Sequence, residues 1–357
     1  MTLSTKPSPQ EIRSARSENP KMRERDFAQK LDISEADYLA AYIGADDEAL
    51  KVARVRANVE AFLSGISAVG EVMALTRNES AVHEKIGPYE KTVPGKHAAM
   101  VLGKQIDLRI FPSQWVEAFA VEKHDGETVR RSLQFFNASG EAVHKVHLRE
   151  ASDLDAYAKL LETLASDNQS PEFHAVAPKA KPETAVTAEV DSDAFRSRWS
   201  ELTDVHQFMG LLRDFNIDRK QAVELAGDNF AWPLDAGSIR AMMEQVAENA
   251  LPIMCFIGNR GCIQIHTGAI TGIKMMGPWL NVMDPTFHMH LRTDHIREVW
   301  AVRKPTKDGH VTSLEVFDDK GELFIQFFGE RHEGTEERAD WRELVEALPR
   351  LPRSIAA

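Results

Sequence analysis

The sequence predicts an α+β fold built from two tandem copies of one unit, each a large antiparallel β-sheet flanked by helices. Shifting the chain by 181 positions against itself places Asn78 on Asn259 and Gly87 on Gly268. This single offset holds over about 60 residues, which indicates an internal duplication. In each copy the strands are grouped between helices and do not alternate with them one by one. That grouping favours an antiparallel α+β sheet over a Rossmann-type sheet.

Each copy is predicted to begin with helices, over 21–70 in the first copy and 193–250 in the second. In both stretches a residue that commonly caps helices is followed three positions later by a capping-box partner: Ser34 by Asp37, and Asp218 by Gln221. These two patterns therefore predict helices that begin at equivalent places in the repeat.

A β-rich stretch follows in each copy, over 71–148 and 252–330. Apolar and polar residues alternate there, as in 106–111, which is the pattern of a strand with one buried face. Each copy is predicted to end with an amphipathic helix, over 151–165 in the first copy and 335–348 in the second.

These patterns set the predicted domain boundaries. We expect a disordered tail over 1–20, the first copy over 21–166 and the second copy over 191–350. The segment between them, 167–190, is rich in Pro, Ala, Lys and Glu and has no hydrophobic period. It is expected to be a mobile linker.

The composition disfavours several classes of partner. The net charge of −12 weighs against a nucleic-acid or membrane-surface binder, because attraction to phosphates needs a basic excess. No apolar run approaches the ~20 residues that cross a bilayer, and the polar N-terminus lacks the apolar core of a secretory signal. A cytoplasmic location is predicted. Cys255 and Cys262 share one apolar stretch and are expected to be buried, reduced thiols.

Familiar catalytic motifs do not occur in the sequence. It has no Gly-rich phosphate loop, no Gly-x-Ser-x-Gly, no His-Glu-x-x-His and no Cys-x-x-Cys. His288 and His290 share one face of a predicted strand, a spacing that permits metal chelation. We favour the interpretation that they are ordinary strand histidines, exposed or hydrogen-bonded.

The duplication provides a filter for function, because a site acquired after duplication should differ between the copies. His206 is such a difference, since the corresponding stretch 22–26 of the first copy has no histidine. The residues predicted to pack against the core from the His206 helix are Val205, Phe208, Met209 and Leu212. Gly210 costs about 1 kcal/mol in a helix relative to Ala, and room for a flat ligand beside His206 is one reason to keep it. An ordinary surface or core histidine is the alternative.

Arg219 is a second difference between the copies. It follows the predicted cap Asp218, in a first helical turn where the helix dipole disfavours a cation, and the first copy has Glu35 there. A cation beside free backbone N–H groups makes an anion site, whereas a solvated surface arginine is the alternative. Three further positions are compared at the constant offset: Lys304 against Lys123, Gln326 against Lys145, and Arg331 against Glu150. Taken together they make the second copy more basic, through Arg331. For each residue alone, a solvated strand residue is the alternative.

Several longer motifs lead to a known family. They are LTDVHQF at 202–208, IMCFIGNRGCIQI at 253–265, RNESAVHE at 77–84, DLR at 107–109 and QFFGER at 326–331. Together they resemble the HemS/HmuS family of cytoplasmic haem-transport and haem-degrading proteins. The resemblance runs through nearly the whole chain, from about 19 to 348, and includes the duplication.

The resemblance implies a haem held between the two halves, with His206 as the axial ligand to the iron. It also implies polar contacts to the haem, and to its propionates, from Arg109, Arg219, Lys304, Gln326 and Arg331, with Phe256 against the ring. His83 is a second candidate ligand. Ile325 stands where other members often carry tyrosine, so one hydrogen bond to a propionate is expected to be missing. Imidazole, cations and an apolar slot are what haem requires.

Two activities remain open at this point. As a haem-oxygenase-like enzyme, the protein would reduce ferric haem with an electron donor, bind O₂ opposite His206, open the porphyrin and release iron. As a carrier, it would take haem from an ABC importer and pass it to a separate haem oxygenase. Both activities need the same ligand and pocket. A metal or nucleic-acid regulator is disfavoured by the charge, and neither a nucleic-acid partner nor membrane insertion is expected.

Overall fold

The computed structural model describes residues 6–176, 190–332 and 334–352. The chain forms two compact units, one for each copy of the repeat. The first unit holds the first half of the described chain together with Gly258–Gln264. The second unit holds the second half together with Asn78–His83. Each unit therefore includes a short segment that belongs to the other half of the sequence.

The first unit is an antiparallel meander with helices. Its helices are α1 (Pro9–Ser17), α2 (Glu24–Lys30), α3 (Glu35–Ala40), α4 (Val59–Ile66) and α5 (Leu154–Thr163). Its strands are β1 (Leu50–Val55), β2 (Gly70–Arg77), β3 (Ala81–Gly87, divided between the units), β4 (Thr92–Val93), β5 (Ala99–Leu102), β6 (Asp107–Ile110), β7 (Glu117–Asp125), β8 (Thr128–Phe136) and β9 (Ala142–Ser152). The main strands are ordered β1-β7-β8-β9-β2, each antiparallel to its neighbour.

The second unit repeats this arrangement. Its helices are α6 (Ser192–Ser200), α7 (Phe208–Asp214), α8 (Arg219–Leu225), α9 (Ser238–Glu248) and α10 (Ala339–Ala347). Its strands are β10 (Ala231–Leu234), β11 (Ile253–Gly258), β12 (Cys262–Gly268, divided between the units), β13 (Ile273–Met276), β14 (Trp279–Met283), β15 (Phe287–Arg292), β16 (Glu298–Thr306), β17 (Gly309–Phe317) and β18 (Leu323–Gly329). The main strands are ordered β10-β16-β17-β18-β11.

The correspondence between the units confirms the predicted duplication and the α+β fold class. β8 and β17 are each nine residues long and begin 181 positions apart. Both carry an irregularity at the same place, between Phe135 and Phe136 in the first unit and between Val316 and Phe317 in the second. A bulge that recurs at one offset is a feature of the unit, because bulges are usually kept within a family.

The predicted helix starts are confirmed in both units. Capping boxes are present at the beginning of α3 and of α8. Two positions before each cap the backbone is left-handed, at Asp32 (φ 54°) and Asn216 (φ 52°). Asp and Asn tolerate this conformation better than most other side chains, which accounts for the residue type at both positions.

In each unit the main strands have one helical layer on each face. In the second unit, Val299 and Ala301 belong to the core formed with α9 and α10, whereas Trp300 and Val302 belong to the core formed with α6, α7 and α8. The alternation follows from the strand period of two, which sends successive side chains to opposite faces. The candidate site lies on the second of these faces.

Three parts of the predicted organisation are wrong. β1 and β10 lie within stretches predicted as helical. The predicted disordered tail contains α1, which begins with a capping box at Ser8 and buries Ile12. The first part of the predicted linker packs on the first unit: the Arg54 guanidinium donates to the carbonyls of Ser170 and Glu172, and Phe173 is buried. Residues 177–189 of that linker lie outside the described chain.

Both cysteines are buried free thiols, as predicted. Burial raises the pKa of Cys262 to about 12, which keeps the thiol protonated. Among the described helices, none combines the length and the apolar character that a membrane span requires.

Candidate functional site

His206 lies at the surface of the second unit, in a single 3₁₀ turn over Val205–Gln207 directly before α7. Its side chain is 91% exposed, and its ring atom Nδ1 hydrogen-bonds with Asp204 Oδ1 over 2.7 Å. The same oxygen accepts from the His206 backbone N–H over 2.8 Å. A carboxylate at Nδ1 fixes the ring tautomer and leaves Nε2 to bind a metal.

Asp204 is held in its ionised form by the turn that it caps. The backbone hydrogen bond from His206, followed by the bond from its ring, lowers the pKa of the Asp204 carboxyl. Asp204 and Gln207 also form a capping box around the turn. The imidazole is therefore attached at two points, through the turn and through the carboxylate, before any ligand binds.

α7 buries one face and exposes the face that continues from His206. Phe208 and Leu212 are buried, as predicted, but Met209 is 56% exposed, so its predicted place in the core is wrong. The reason is that the helix begins only at Phe208, which changes the direction of the side chains after the turn. A methyl group added at Gly210 would meet nothing within 4 Å. The described chain therefore gives no packing reason for glycine at this position.

Two predicted cations lie over the ring of Phe208. The Lys304 ammonium is 4.5 Å from the ring centroid, and the Arg219 guanidinium carbon is 5.1 Å from it. Arg219 is the first residue of α8, directly after the Asp218 cap, as predicted. Cations at this distance over an aromatic face are attracted by the electrons of the ring. Phe208 thus joins the positive cluster to the turn that carries His206.

A buried carboxylate, Glu315 on β17, organises this cluster. Its Oε1 accepts from Lys304 Nζ over 2.7 Å, from Gln326 Nε2 over 3.1 Å and from Ser313 Oγ over 3.3 Å. Arg219 Nη1 is 3.5 Å from the same oxygen. Glu315 was not predicted from the sequence as part of the site.

The charged groups of the cluster shift the pKa values of one another. Burial acts to raise the pKa of Glu315, but the positive charges of Arg219 and Lys304 outweigh it and hold that pKa below its ordinary value. Burial lowers the pKa of Lys304, against the opposing effect of Glu315 and with a further lowering by Arg219. With all three ionised, the cluster carries one net positive charge.

The other predicted site residues lie in different surroundings. Phe256 on β11 is the cross-strand partner of Gln326 on β18, which brings it beside the cluster. Arg331 follows the end of β18 and is partly exposed. Arg109 lies on β6 of the first unit, where it forms an ion pair with Asp107.

The other histidines considered from the sequence differ from His206 in their surroundings. His83 is fully buried, with its ring centroid 4.9 Å from that of Phe287. His288 and His290 point to one face of β15, and His290 Nδ1 hydrogen-bonds with Asn281 Oδ1 over 2.6 Å. Among the residues that the structure describes, there is no group of three or more His, Cys, Asp or Glu that could hold a metal ion.

Comparison with known proteins identifies the family. A model described as the haemin-degrading HemS/ChuX domain matches the chain twice, over residues 32–164 and 216–348. The chain belongs to the HemS/ChuX family. Two relatives from that family agree: the hemin transport protein HmuS of Yersinia pestis is 38% identical over 346 residues, covering 96% of this chain and 97% of that protein. The hemin transport protein HemS of Yersinia enterocolitica is 38% identical over 335 residues, covering 94% and 95%.

Solved structures of relatives match along nearly the whole chain. Holo-PhuS, a heme-binding protein from Pseudomonas aeruginosa, is 42% identical, with a TM-score of 0.92 and coverage of 97% of this chain and 100% of that one. ChuS, a heme oxygenase of E. coli, is 34% identical, with a TM-score of 0.83 and coverage of 93% and 98%. The resemblance stated from the motifs is thereby confirmed.

The sequence contained signals for the two residues that the HemS/ChuX motifs did not single out. Glu315 faces Gln134 at the constant offset, so the comparison of copies that selected His206 selects it as well. Asp204 stands two positions before His206 and three before Gln207, which is the spacing of a capping box. What the sequence lacked was the cross-strand register that places Glu315 beside Gln326.

Proposed function

We propose that this protein binds haem in the cytoplasm as part of a haem-uptake system, with His206 as the axial ligand to the iron. The observation that carries the proposal is the exposed His206 ring, which Asp204 holds in the turn before α7. Phe208, the first residue of α7, carries the two cations over its ring. Among the described histidines that the sequence put forward as ligands, His206 is exposed and His83 is buried. Haem is the cargo or substrate in this proposal, and the residues below are those that would hold it.

The chemistry of the site suits each part of haem. A neutral imidazole with its Nδ1 bound to a carboxylate is a strong donor to iron. Lys304 and Arg219 supply positive charge for a propionate, and their charge-assisted hydrogen bonds to it are stronger than neutral ones. Gly210 leaves open space on the His206 side of α7, where a porphyrin ring could lie.

Four further contacts belong to the proposal on the strength of the sequence motifs. We assign Gln326 and Arg331 to the polar side of the haem and Phe256 to its ring. We also assign one contact to Arg109 of the first unit. The cross-strand pairing of Phe256 with Gln326 supports the assignment of these two residues, because it brings an aromatic side chain beside the positive cluster.

Both delivery and breakdown of haem are compatible with this site. HmuS and HemS are named hemin transport proteins, whereas ChuS is named a heme oxygenase, and all three are 34% to 38% identical to this chain. As a carrier, the protein would receive haem from an importer and release it to a separate haem oxygenase. As an enzyme, it would open the porphyrin and release iron itself.

One incubation separates the two activities. The purified protein is mixed with haem and a mild electron donor, with catalase present to remove free peroxide, and the Soret band is followed. Loss of the band with a linear tetrapyrrole and free iron identifies the enzyme. A stable band, followed by transfer of haem to a second haem-binding protein, identifies the carrier. Absence of a Soret shift on mixing would overturn the proposal itself.

Replacing Asp204 with asparagine is expected to weaken haem binding about tenfold. Hydrogen-bond partners of metal-binding histidines typically contribute about 10- to 100-fold to metal affinity, and the lower value is expected because Asp204 is half exposed. Asparagine also caps helices, so thermal stability should change little. The measurement is a haem titration with the Soret position recorded. Asp218→Asn is the matched control, because Asp218 caps α8 through the same capping box without a histidine. Equal effects of both substitutions would show that Asp204 acts only as a cap.

Replacing Gly210 with alanine is expected to stabilise the protein and weaken haem binding. Alanine in a helix interior is favoured over glycine by about 1 kcal/mol, and the added methyl group meets no protein atom within 4 Å. A ring lying against α7 would meet it. Unfolding by urea measures the first effect, and haem titration measures the second. A variant that is more stable and binds haem as well as the wild type would mean that the haem does not approach Gly210.

A further inference from the structure

The positive cluster is built in layers of decreasing exposure. The side chain of Arg219 is 23% exposed, that of Lys304 is 6% exposed and that of Glu315 is 0% exposed. Exposure thus increases from the carboxylate at the base of the cluster, through Lys304 on the neighbouring strand β16, to Arg219 on α8. An incoming anion meets the cations first.

All the polar contacts of Glu315 converge on one of its two oxygens. Lys304, Gln326 and Ser313 donate to Oε1, and Arg219 approaches the same atom. Oε2 is buried and has no hydrogen-bond partner among the described residues. Burial of an unpartnered carboxylate oxygen is unfavourable. The arrangement therefore brings the donors together at one oxygen atom and leaves the other oxygen of the carboxylate without a hydrogen bond.

The first unit pairs its corresponding strand lysines with carboxylates from helices. Glu24 on α2 pairs with Lys123 over 2.6 Å, and Glu35 on α3 pairs with Lys145 over 2.9 Å. The residue of the first unit that corresponds to Glu315 is the neutral Gln134. The carboxylate under the cations therefore occurs only in the copy that has His206.

We propose that Glu315 is the positioning residue of carboxylate recognition: it holds Lys304 and Arg219 over Phe208 and leaves one net positive charge for a haem propionate. This inference rests on the proposed function. Glu315 does not touch the haem, and it acts through the two cations. The negative charge of Glu315 offsets one of the two positive charges, so the net charge of the cluster matches that of a single carboxylate. It also offsets the repulsion between Lys304 and Arg219, which lie close together in buried surroundings.

The surroundings of Lys304 show what Glu315 prevents. The charged groups that face Lys304 are Glu315 on β17 and Arg219 on α8, while α7 and β18 contribute the uncharged Phe208 and Gln326. Without Glu315, the charged neighbour that remains to Lys304 among the described residues is the cation Arg219, so burial and repulsion both favour the neutral amine. Lys304 would then lose its charge as the pH rises through its lowered pKa, and regain it as the pH falls.

The test compares haem with its propionate dimethyl ester, in the full-length wild type and in Glu315→Gln, from pH 6 to pH 9. The wild type should prefer haem about 10- to 100-fold throughout. In Glu315→Gln the preference should fall at least about tenfold at pH 9 and recover towards pH 6, with affinity for the ester unchanged. Glu337→Gln is the matched control, since Glu337 is another buried carboxylate of the second unit, and it should leave the preference intact.

Each other outcome overturns the inference. Equal weakening of haem and ester would show that Glu315 only supports the fold, and a stronger preference would show that it competes with the propionate. If Glu315→Gln does not fold, Glu315→Asp keeps the charge and shortens its reach, so the preference should fall several-fold; no change would count against positioning. A wild type that binds both ligands equally removes propionate recognition itself, and a wild type that binds neither removes the proposed function.

Discussion

Haem affinity is expected to fall about 100-fold or more when His206 is replaced with alanine, and the Soret band should move to the position of haem without a protein imidazole. The estimate follows from the 10- to 100-fold cost of losing even an outer partner of a metal ligand. Because the side chain is 91% exposed, its removal leaves no cavity and should not alter the fold. Residual binding should remain, since burial of the porphyrin contributes independently of the iron bond.

Two substitutions serve as controls for His206→Ala. Met22→Ala changes the corresponding residue of the first copy, and His288→Ala removes a partly exposed histidine from β15 of the same unit. Neither should shift the Soret band. Added imidazole should restore the spectrum of His206→Ala by supplying the missing ligand. If His206→Ala retains the wild-type affinity and spectrum, the iron is bound elsewhere and the central assignment is wrong.

Replacing Lys304 with alanine is expected to weaken haem binding about 10- to 100-fold while the Soret position stays nearly constant. Lys304 is buried, so a charge-assisted hydrogen bond to a propionate would be shielded from water and have its full strength. Affinity for the dimethyl ester should hardly change, because the ester has no charge to lose. Arg219→Ala should act in the same direction with a smaller effect, since Arg219 is more exposed to screening.

Lys123→Ala is the matched control for Lys304→Ala. Lys123 is the counterpart of Lys304 at the constant offset, and it is 41% exposed and paired with Glu24. It should leave both haem and ester binding unchanged. If haem and ester bind the wild type equally well, the cations of the second unit do not hold a propionate.

Local patterns made much of this fold predictable. The capping boxes at α3 and α8 depend on four adjacent residues, and the duplication depends only on a constant offset. β1 and β10 were missed because they are short strands between helices, where helix-forming neighbours dominate the pattern. The tail was judged on its polar composition, although Ser8 and Glu11 already had the capping-box spacing.

Individual residues of the site could be predicted from the sequence, but the contacts between them could not. His206 and Arg219 differ between the copies, and a sequence comparison shows this directly. The ion pairs of Glu315 require three things that the sequence does not state: the register of β16, β17 and β18, the start of α8 and the side of the sheet that faces it. Met209 was assigned to the core because one helix was expected where a 3₁₀ turn and a helix occur.

The segment exchange between the two halves constrains how the protein can be made. The first unit includes Gly258–Gln264, in which Asn259 donates to the carbonyls of Arg77 and Val143. On the ribosome, that unit cannot complete its hydrogen bonding until residue 264 of 357 has emerged, and it must wait while nearly half of its partner is synthesised. A gene cut within the linker should thus yield two fragments that each lack a strand segment of their own unit. Co-expression of the two fragments should restore the complete units, which neither fragment forms alone.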